Sequence, residues 1–67
     1  MGFEVELIDR DRTSLITLTF PTIEQARAFA KCSVLAMRIK AALILSFGDK
    51  YEGYELGEDG KPVWLVF

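Results

Sequence analysis

The last six residues of the chain, 62–67, have the sequence PVWLVF and carry no polar side chain. Successive side chains of a strand point to opposite faces of its sheet, so a strand with one face in water alternates apolar and polar residues. This segment instead needs cover on both faces. A domain of this length buries only about 60% of the surface that its unfolded chain exposes, which leaves little material to cover both sides of a sheet. The segment therefore predicts association with another protein surface.

The composition predicts one folded domain. Hydrophobic residues make up 51% of the chain and charged residues 27%, which is more apolar than a disordered segment. A chain of 67 residues has no room for a second core. Residues 1–67 are therefore expected to form a single compact domain.

The N-terminal part of the chain has the pattern of a β-hairpin. Residues 3–7 alternate apolar and charged side chains, which is the period of a strand with one buried face. A polar segment, residues 9–13, follows it. Residues 14–20, with the sequence SLITLTF, are rich in strand-forming residues. Leu15 is expected on the opposite face of this second strand from Ile16.

A helix is predicted after Pro21, which cannot donate a hydrogen bond to a strand ladder. Thr22 followed three residues later by Gln25 is the signature of a capping box, and the helix end is predicted between Arg38 and Ala41. At 100° per residue, one apolar arc of roughly 180° is expected to face the sheet. Its members are Ala26, Phe29, Ala30, Cys32, Ser33, Ala36, Met37 and Ile39.

A basic face is predicted on the opposite side of this helix, formed by Arg27, Lys31 and Arg38. A solvated polar face is the simpler interpretation, because an acid in the first turn and bases towards the C-terminal end suit the helix dipole. A phosphate-contacting face is the alternative, which would make the chain a nucleic-acid-binding module. The net charge of −2 and the pI of about 4.9 disfavour nucleic acid as a partner.

The C-terminal part predicts two or three further strands. Residues 43–47 form a short apolar run, residues 51–56 mix aromatic side chains with carboxylates, and residues 57–61 contain the Asp-Gly signal of a tight turn before the final apolar segment. Gly53 marks either a bulge or a partly irregular segment. The predicted fold class is α+β, with one helix packed on an antiparallel-rich sheet of four to five strands in the order ββαββ(β).

The residue types for common catalytic chemistry are missing from the sequence. The chain has no histidine, which is the commonest general base and metal ligand, and it has one cysteine. The acids of residues 49–59 do not have the spacing of a calcium loop and are interpreted as a solvated hairpin. The chain is therefore predicted not to be an enzyme and to hold no metal or cofactor.

The main functional prediction is a non-catalytic protein-interaction module that forms a homodimer or docks on a larger protein through the sheet face away from the helix. Tyr and Trp suit such a surface because they combine a large apolar area with one polar group. The predicted interface residues are Leu15, Tyr51, Tyr54, Trp64 and Val66, and in the last strand the residues that alternate with Trp64 are expected to face the helix: Val63, Leu65 and Phe67.

Two further expectations concern the setting of the protein. In size and acidity the chain resembles small accessory or inhibitor proteins of phages and mobile elements, which implies the alternative function of occluding a larger host complex. No segment reaches the roughly 18 apolar residues that span a bilayer, residues 1–4 lack a basic n-region, and a lone cysteine cannot form an internal disulfide. These features predict a cytoplasmic protein without membrane association.

Overall fold

One antiparallel sheet organises residues 2–67, which are the residues described by the computed structural model. The sheet order is β2-β1-β3-β4-β5, and every neighbouring pair is antiparallel. The predicted fold class is therefore confirmed, with all five strands formed. In chain order the elements are β1 (Phe3–Ile8), β2 (Ser14–Phe20), α1 (Ile23–Met37), β3 (Ala41–Ser46), β4 (Asp49–Leu56) and β5 (Pro62–Val66).

The start of α1 follows from the predicted cap. The Thr22 hydroxyl accepts a hydrogen bond from the Gln25 N–H at 3.3 Å, which satisfies one of the free donors of the first turn. The helix ends at Met37, just before the predicted range. Arg38 takes a left-handed conformation, with φ of 51°, and its N–H donates to the Val34 carbonyl. A left-handed cap thus ends the helix without glycine or proline.

The core lies between α1 and one face of the three central strands. The helix contacts β1, β3 and β4 much more than the outer strands β2 and β5. Alanines on the helix and in β3 allow the helix to approach the sheet closely. The buried core residues are Val5, Leu7, Ala26, Ala30, Val34, Ile39, Ala42 and Ile44.

The buried face of α1 is rotated from the predicted arc. Val34, which the arc omits, is fully buried, whereas Cys32, Ala36 and Met37 are exposed. Phe29 is only half-buried and lies at the flank of the helix, with its ring centroid 5.0 Å from that of Phe20. Apolar residues occupy most of the helix circumference, so several arcs fit the periodicity equally well. The position of the helix over the central strands selects among them.

Two features of β3 and β4 also differ from the prediction. Phe47 is not part of the strand but is the first residue of a two-residue turn, and both it and Gly48 have positive φ, 54° and 83°. The bulge of β4 does not lie at Gly53. The register shifts between Ile44 and Leu45 of β3, which leaves Tyr51 as the extra residue.

Gly53 is not a bulge residue but is needed because β4 approaches β3 closely at this position. A Cβ atom at this position would lie 2.7 Å from the Ala42 carbonyl oxygen. The glycine therefore keeps β4 close to β3 at the centre of the sheet.

We expect Val34→Ala to lower the free energy of unfolding by about 2 kcal/mol, because it removes buried methyl groups and leaves a small cavity. Leu35→Ala is the matched control on the outer side of the helix, where the side chain is 43% exposed, and its effect is expected to stay within about 0.5 kcal/mol. Urea unfolding followed by circular dichroism measures both. Equal losses would contradict the observed orientation of the helix.

Candidate functional site

A buried carboxylate is the least expected feature of the sheet. Glu52 lies in β4, where it is paired with Ile44 of β3 and Val66 of β5. Because Ile44 belongs to the core, this register turns Glu52 towards the helix. Its side chain is 2% exposed. A carboxylate so deeply placed is stable only if its oxygens are paired.

Two side chains satisfy both oxygens of Glu52. Arg27, from α1, donates from Nε and Nη2 to Oε1 at 3.0 and 2.8 Å. Trp64, from β5, donates its indole N–H to Oε2. These three residues, the Glu52 cluster, link the helix to two strands of the sheet. No buried side-chain nitrogen or oxygen within residues 2–67 lacks a hydrogen-bond partner.

The Glu52 cluster holds its carboxylate in the charged form. Burial acts to raise the pKa of Glu52, but the hydrogen bonds from Arg27 and Trp64 and the positive charge of Arg27 together outweigh it and lower the pKa below its ordinary value. The hydrogen bond to Glu52 in turn raises the pKa of Arg27. The group is therefore an ion pair at neutral pH.

The predicted basic face is not formed as one surface. Arg27 lies towards the sheet rather than opposite to it, because it pairs with Glu52. Lys31 is exposed on the helix, and Arg38 lies beyond the helix end, where its carbonyl accepts a hydrogen bond from Arg10 Nε at 3.2 Å. The expectation that Arg27 lies on the face opposite the sheet is therefore wrong, although its side chain stays 43% exposed. The assignment of Glu52 to a solvated hairpin is also wrong.

A sequence signal for the Glu52 cluster does exist. Glu52 shares its strand face with Tyr54 and Leu56, both of which pack against the core. A carboxylate on an apolar strand face needs a partner, and an arginine on the facing helix is the natural one. The sequence alone does not place the helix over β4, so the pairing with Arg27 depends on the tertiary arrangement.

A shallow cleft of about 280 Å³ lies beside the cluster, at the side of the helix above β5. Both oxygens of Glu52 are already engaged, so the cleft presents aromatic and apolar surface together with the outer edge of one guanidinium. This arrangement suits packing or binding rather than proton transfer. Its lining residues are Arg27, Tyr51, Glu52, Trp64, Val66 and Phe67.

The predicted interface residues do not share the sheet face away from the helix. In the register of β4 with β5, Trp64 pairs with Tyr54 and Val66 with Glu52, so all four lie on the helix side. The expectation that Trp64 faces away from the helix is therefore wrong. The sequence does not fix the register of β5, and a slip of one residue moves every side chain to the other face.

Tyr51 and Leu15 occupy irregular positions. Tyr51 is the bulged residue of β4, and its ring centroid lies 6.1 Å from that of Phe3. Leu15 is the extra residue where the register of β2 with β1 shifts, and it is exposed. Neither residue continues the regular alternation of its strand.

The face away from the helix carries a different set of apolar residues. Leu43 of β3 and Leu65 of β5 lie on either side of Gly53 in the register, and the residues that alternate with them extend the surface along both strands. Val63 and Phe67 are 44% and 57% exposed. By register, this apolar sheet face contains Leu43, Leu45, Val63 and Leu65. Phe67 adjoins it, and Lys50, which lies opposite Leu45 on the same face, places its Nζ 5.7 Å from the Phe67 ring centroid.

The other half of the same face is polar. Glu4 and Glu6 of β1 lie opposite Thr19 and Thr17 of β2. Ser14 donates a hydrogen bond to the Glu6 carboxylate at 3.0 Å. The boundary between the polar and apolar halves therefore runs between β1 and β3.

No protein-family model, curated protein or solved structure matches the chain. Within residues 2–67, no three side chains of His, Cys, Asp or Glu are grouped so that they could hold a metal ion. In the same residues, no helix has the length and apolar character needed to cross a membrane.

We expect Arg27→Met to lower the melting temperature clearly at pH 7, because it leaves the buried Glu52 carboxylate with only the indole as a partner. Lys31→Met, one turn further along the exposed helix surface, is the matched control and should change it little. Differential scanning calorimetry compares the two. Equal shifts would show that the ion pair does not support the fold.

The double variant Arg27→Met/Glu52→Gln separates the lost charge from lost packing. A neutral amide at position 52 costs less to bury without arginine than a carboxylate does. The double variant should therefore melt above Arg27→Met alone. If it melts lower, the two side chains act independently rather than as a pair.

The lowered pKa of Glu52 predicts an acid-dependent loss of stability. Below its ordinary pKa of 4.5, the unfolded chain takes up a proton that the folded chain still excludes. The stabilisation is therefore complete above this value and is lost as the pH falls through the folded pKa.

We expect the free energy of unfolding, measured by urea titration, to fall more steeply between pH 5 and about pH 2 in the unmodified protein than in Glu52→Gln. Both proteins retain the other carboxylates, including Asp11, whose pKa is lowered by its hydrogen bonds to Thr13. Parallel curves for the two proteins would contradict the assignment.

Proposed function

We propose that the protein is a non-catalytic interaction module that associates with a second copy through the apolar sheet face. The observation that carries this proposal is that Leu43, Leu45, Val63 and Leu65 lie on one side of the sheet, while the helix of residues 2–67 lies on the other side. Burial of such a surface is the main favourable term in most protein association.

The apolar half of the face extends over β3, β4 and β5, which are about 4.8 Å apart, so it is about 10 Å wide. A second copy would cover the C-terminal strand on the side that the helix leaves open. This is the cover that the apolar sequence of β5 requires.

The division of the face into two halves limits how two copies meet. Glu4, Glu6, Lys50 and Glu55 are charged groups on this face, and their burial without partners is costly. The apolar half therefore packs against the same half of the second copy, with the charged groups at the rim. A larger protein with its own apolar surface is the alternative occupant of this face.

We expect the protein to have at least twice its chain mass of 7.6 kDa in size-exclusion chromatography with light scattering, and Val63→Lys to reduce the mass. The lysine places an unpaired charge in the interface once per copy. Val66→Lys is the matched control, since Val66 lies on the helix side of the same strand and is more exposed.

Equal masses for Val63→Lys and the unmodified protein, with both folded by circular dichroism, would contradict the proposed surface. A loss of mass only in Val66→Lys would move the interface to the helix side of β5. A monomeric unmodified protein at high concentration would exclude self-association, and docking on a larger protein would then be the remaining function of the face.

A further inference from the structure

The outer edge of the sheet at β2 is an unpaired strand edge. β2 pairs with β1 on one side, and within residues 2–67 no other strand pairs with it. The N–H and C=O groups that alternate with those bonded to β1 therefore point outwards. Exposed backbone groups of this kind are a template for pairing with a further strand.

The side chains of β2 add apolar surface to this edge. Ile16 and Leu18 pair with Leu7 and Val5 of the core and so lie on the helix side of the sheet. They are nevertheless 46% and 38% exposed. The reason is that α1 lies over the central strands and makes few contacts with β2. The β2 edge thus has both unpaired backbone groups and exposed apolar side chains.

Two of the usual devices that protect sheet edges, charge and proline, are absent from β2, although its pairing with β1 is irregular at Leu15. Its seven residues, SLITLTF, include no proline and no charged side chain. The opposite edge differs, because β5 has five residues and begins with Pro62. Proteins commonly blunt a free edge by charge, proline or short length. Since β2 is long, neutral and apolar, it is the edge that is suited to pairing.

We propose that β2 pairs antiparallel with β2 of a second copy, about a twofold axis through Thr17. Thr17 is the central residue of the strand, so this register brings the largest number of residues opposite a partner and leaves the irregular position at Leu15 near the ends of the paired segment. Moving the axis by one residue, to Ile16 or Leu18, leaves five pairs. The register that uses most of the edge is the most favourable one.

The cross-strand pairs in this register are compatible on both faces. On the helix side, Ile16 lies opposite Leu18 of the partner subunit, which buries apolar surface that the helix leaves open. On the other side, Thr17 lies opposite its own copy, and Thr–Thr pairs are favourable. β2 has no charge, so the two strands meet without repulsion.

The edge pairing is a separate contact from the one proposed for the apolar sheet face. It joins two sheets into one of ten strands, with both helices on the same side, and it leaves the β3–β5 surface of each copy free. Two such dimers can then meet through their apolar sheet faces. The two contacts together predict a tetramer, and each can be removed alone.

Disulfide trapping tests the position of the twofold axis. Thr17→Cys, in a Cys32→Ser background that removes the exposed native thiol, places two Cβ atoms about 5 Å apart across the axis, close to disulfide geometry. Thr19→Cys in the same background is the matched control, because its two copies lie about 13 Å apart. Under mild oxidation, we expect linked dimers to form at least tenfold faster with Thr17→Cys.

Solution mass separates this contact from the sheet-face contact. With Val63→Lys added to each cysteine variant, the Thr17→Cys chain should still form the linked dimer, and unoxidised Val63→Lys should have twice the chain mass. A monomeric Val63→Lys, together with equal linking rates at positions 17 and 19, overturns the edge pairing and leaves the sheet-face contact standing.

The same measurements also identify the case in which only the edge pairing forms. If Val63→Lys keeps the full mass of the unmodified protein while Thr17→Cys still links tenfold faster, the edge pairing holds and the sheet-face contact fails. If position 19 links faster than position 17, the axis does not pass through Thr17, and the proposed register is overturned. Circular dichroism of each variant confirms that the fold is retained.

Discussion

The buried carboxylate of Glu52 is the interaction on which the placement of the helix depends. Its two oxygens take hydrogen bonds from Arg27 on the helix and Trp64 on the last strand, so one side chain joins α1, β4 and β5. An apolar contact would tolerate small rotations of the helix, whereas a buried ion pair requires a particular geometry. We infer that the cluster selects one helix orientation among several that the evenly distributed apolar residues allow.

That orientation leaves both sides of the sheet incompletely covered. One helix spans the three central strands, so Ile16 and Leu18 at one edge and Trp64 and Val66 at the other keep exposed surface on the helix side. The opposite side has no helix within residues 2–67. A chain of this length cannot cover all of these surfaces by itself. The proposed contacts between copies cover the sheet face away from the helix and the free edge of β2.

The sequence predicts the local structure of this protein better than its tertiary arrangement. Alternation in residues 3–7, the cap at Thr22 and the turn signal at residues 57–61 are local signals, and the corresponding elements form. Helix rotation and the register of β5 depend on contacts between distant residues, and the predictions about Arg27 and Trp64 failed for that reason. The sequence does contain one signal for the Glu52 cluster. Glu52 shares a strand face with core residues, and a carboxylate in that position needs a partner.

The apolar sequence of β5 can now be divided between its two faces. On the helix side, Trp64 fulfils a structural role through its hydrogen bond to Glu52, and its ring lines the cleft beside Arg27. On the other side, Val63, Leu65 and Phe67 take no part in the Glu52 hydrogen bonds, and the Phe67 ring lies 5.7 Å from the Lys50 Nζ. The sequence predicts that both faces of β5 need cover from another molecule. In the structure, this need remains on the side away from the helix. An interface formed there buries apolar area without breaking the ion pair that positions the helix.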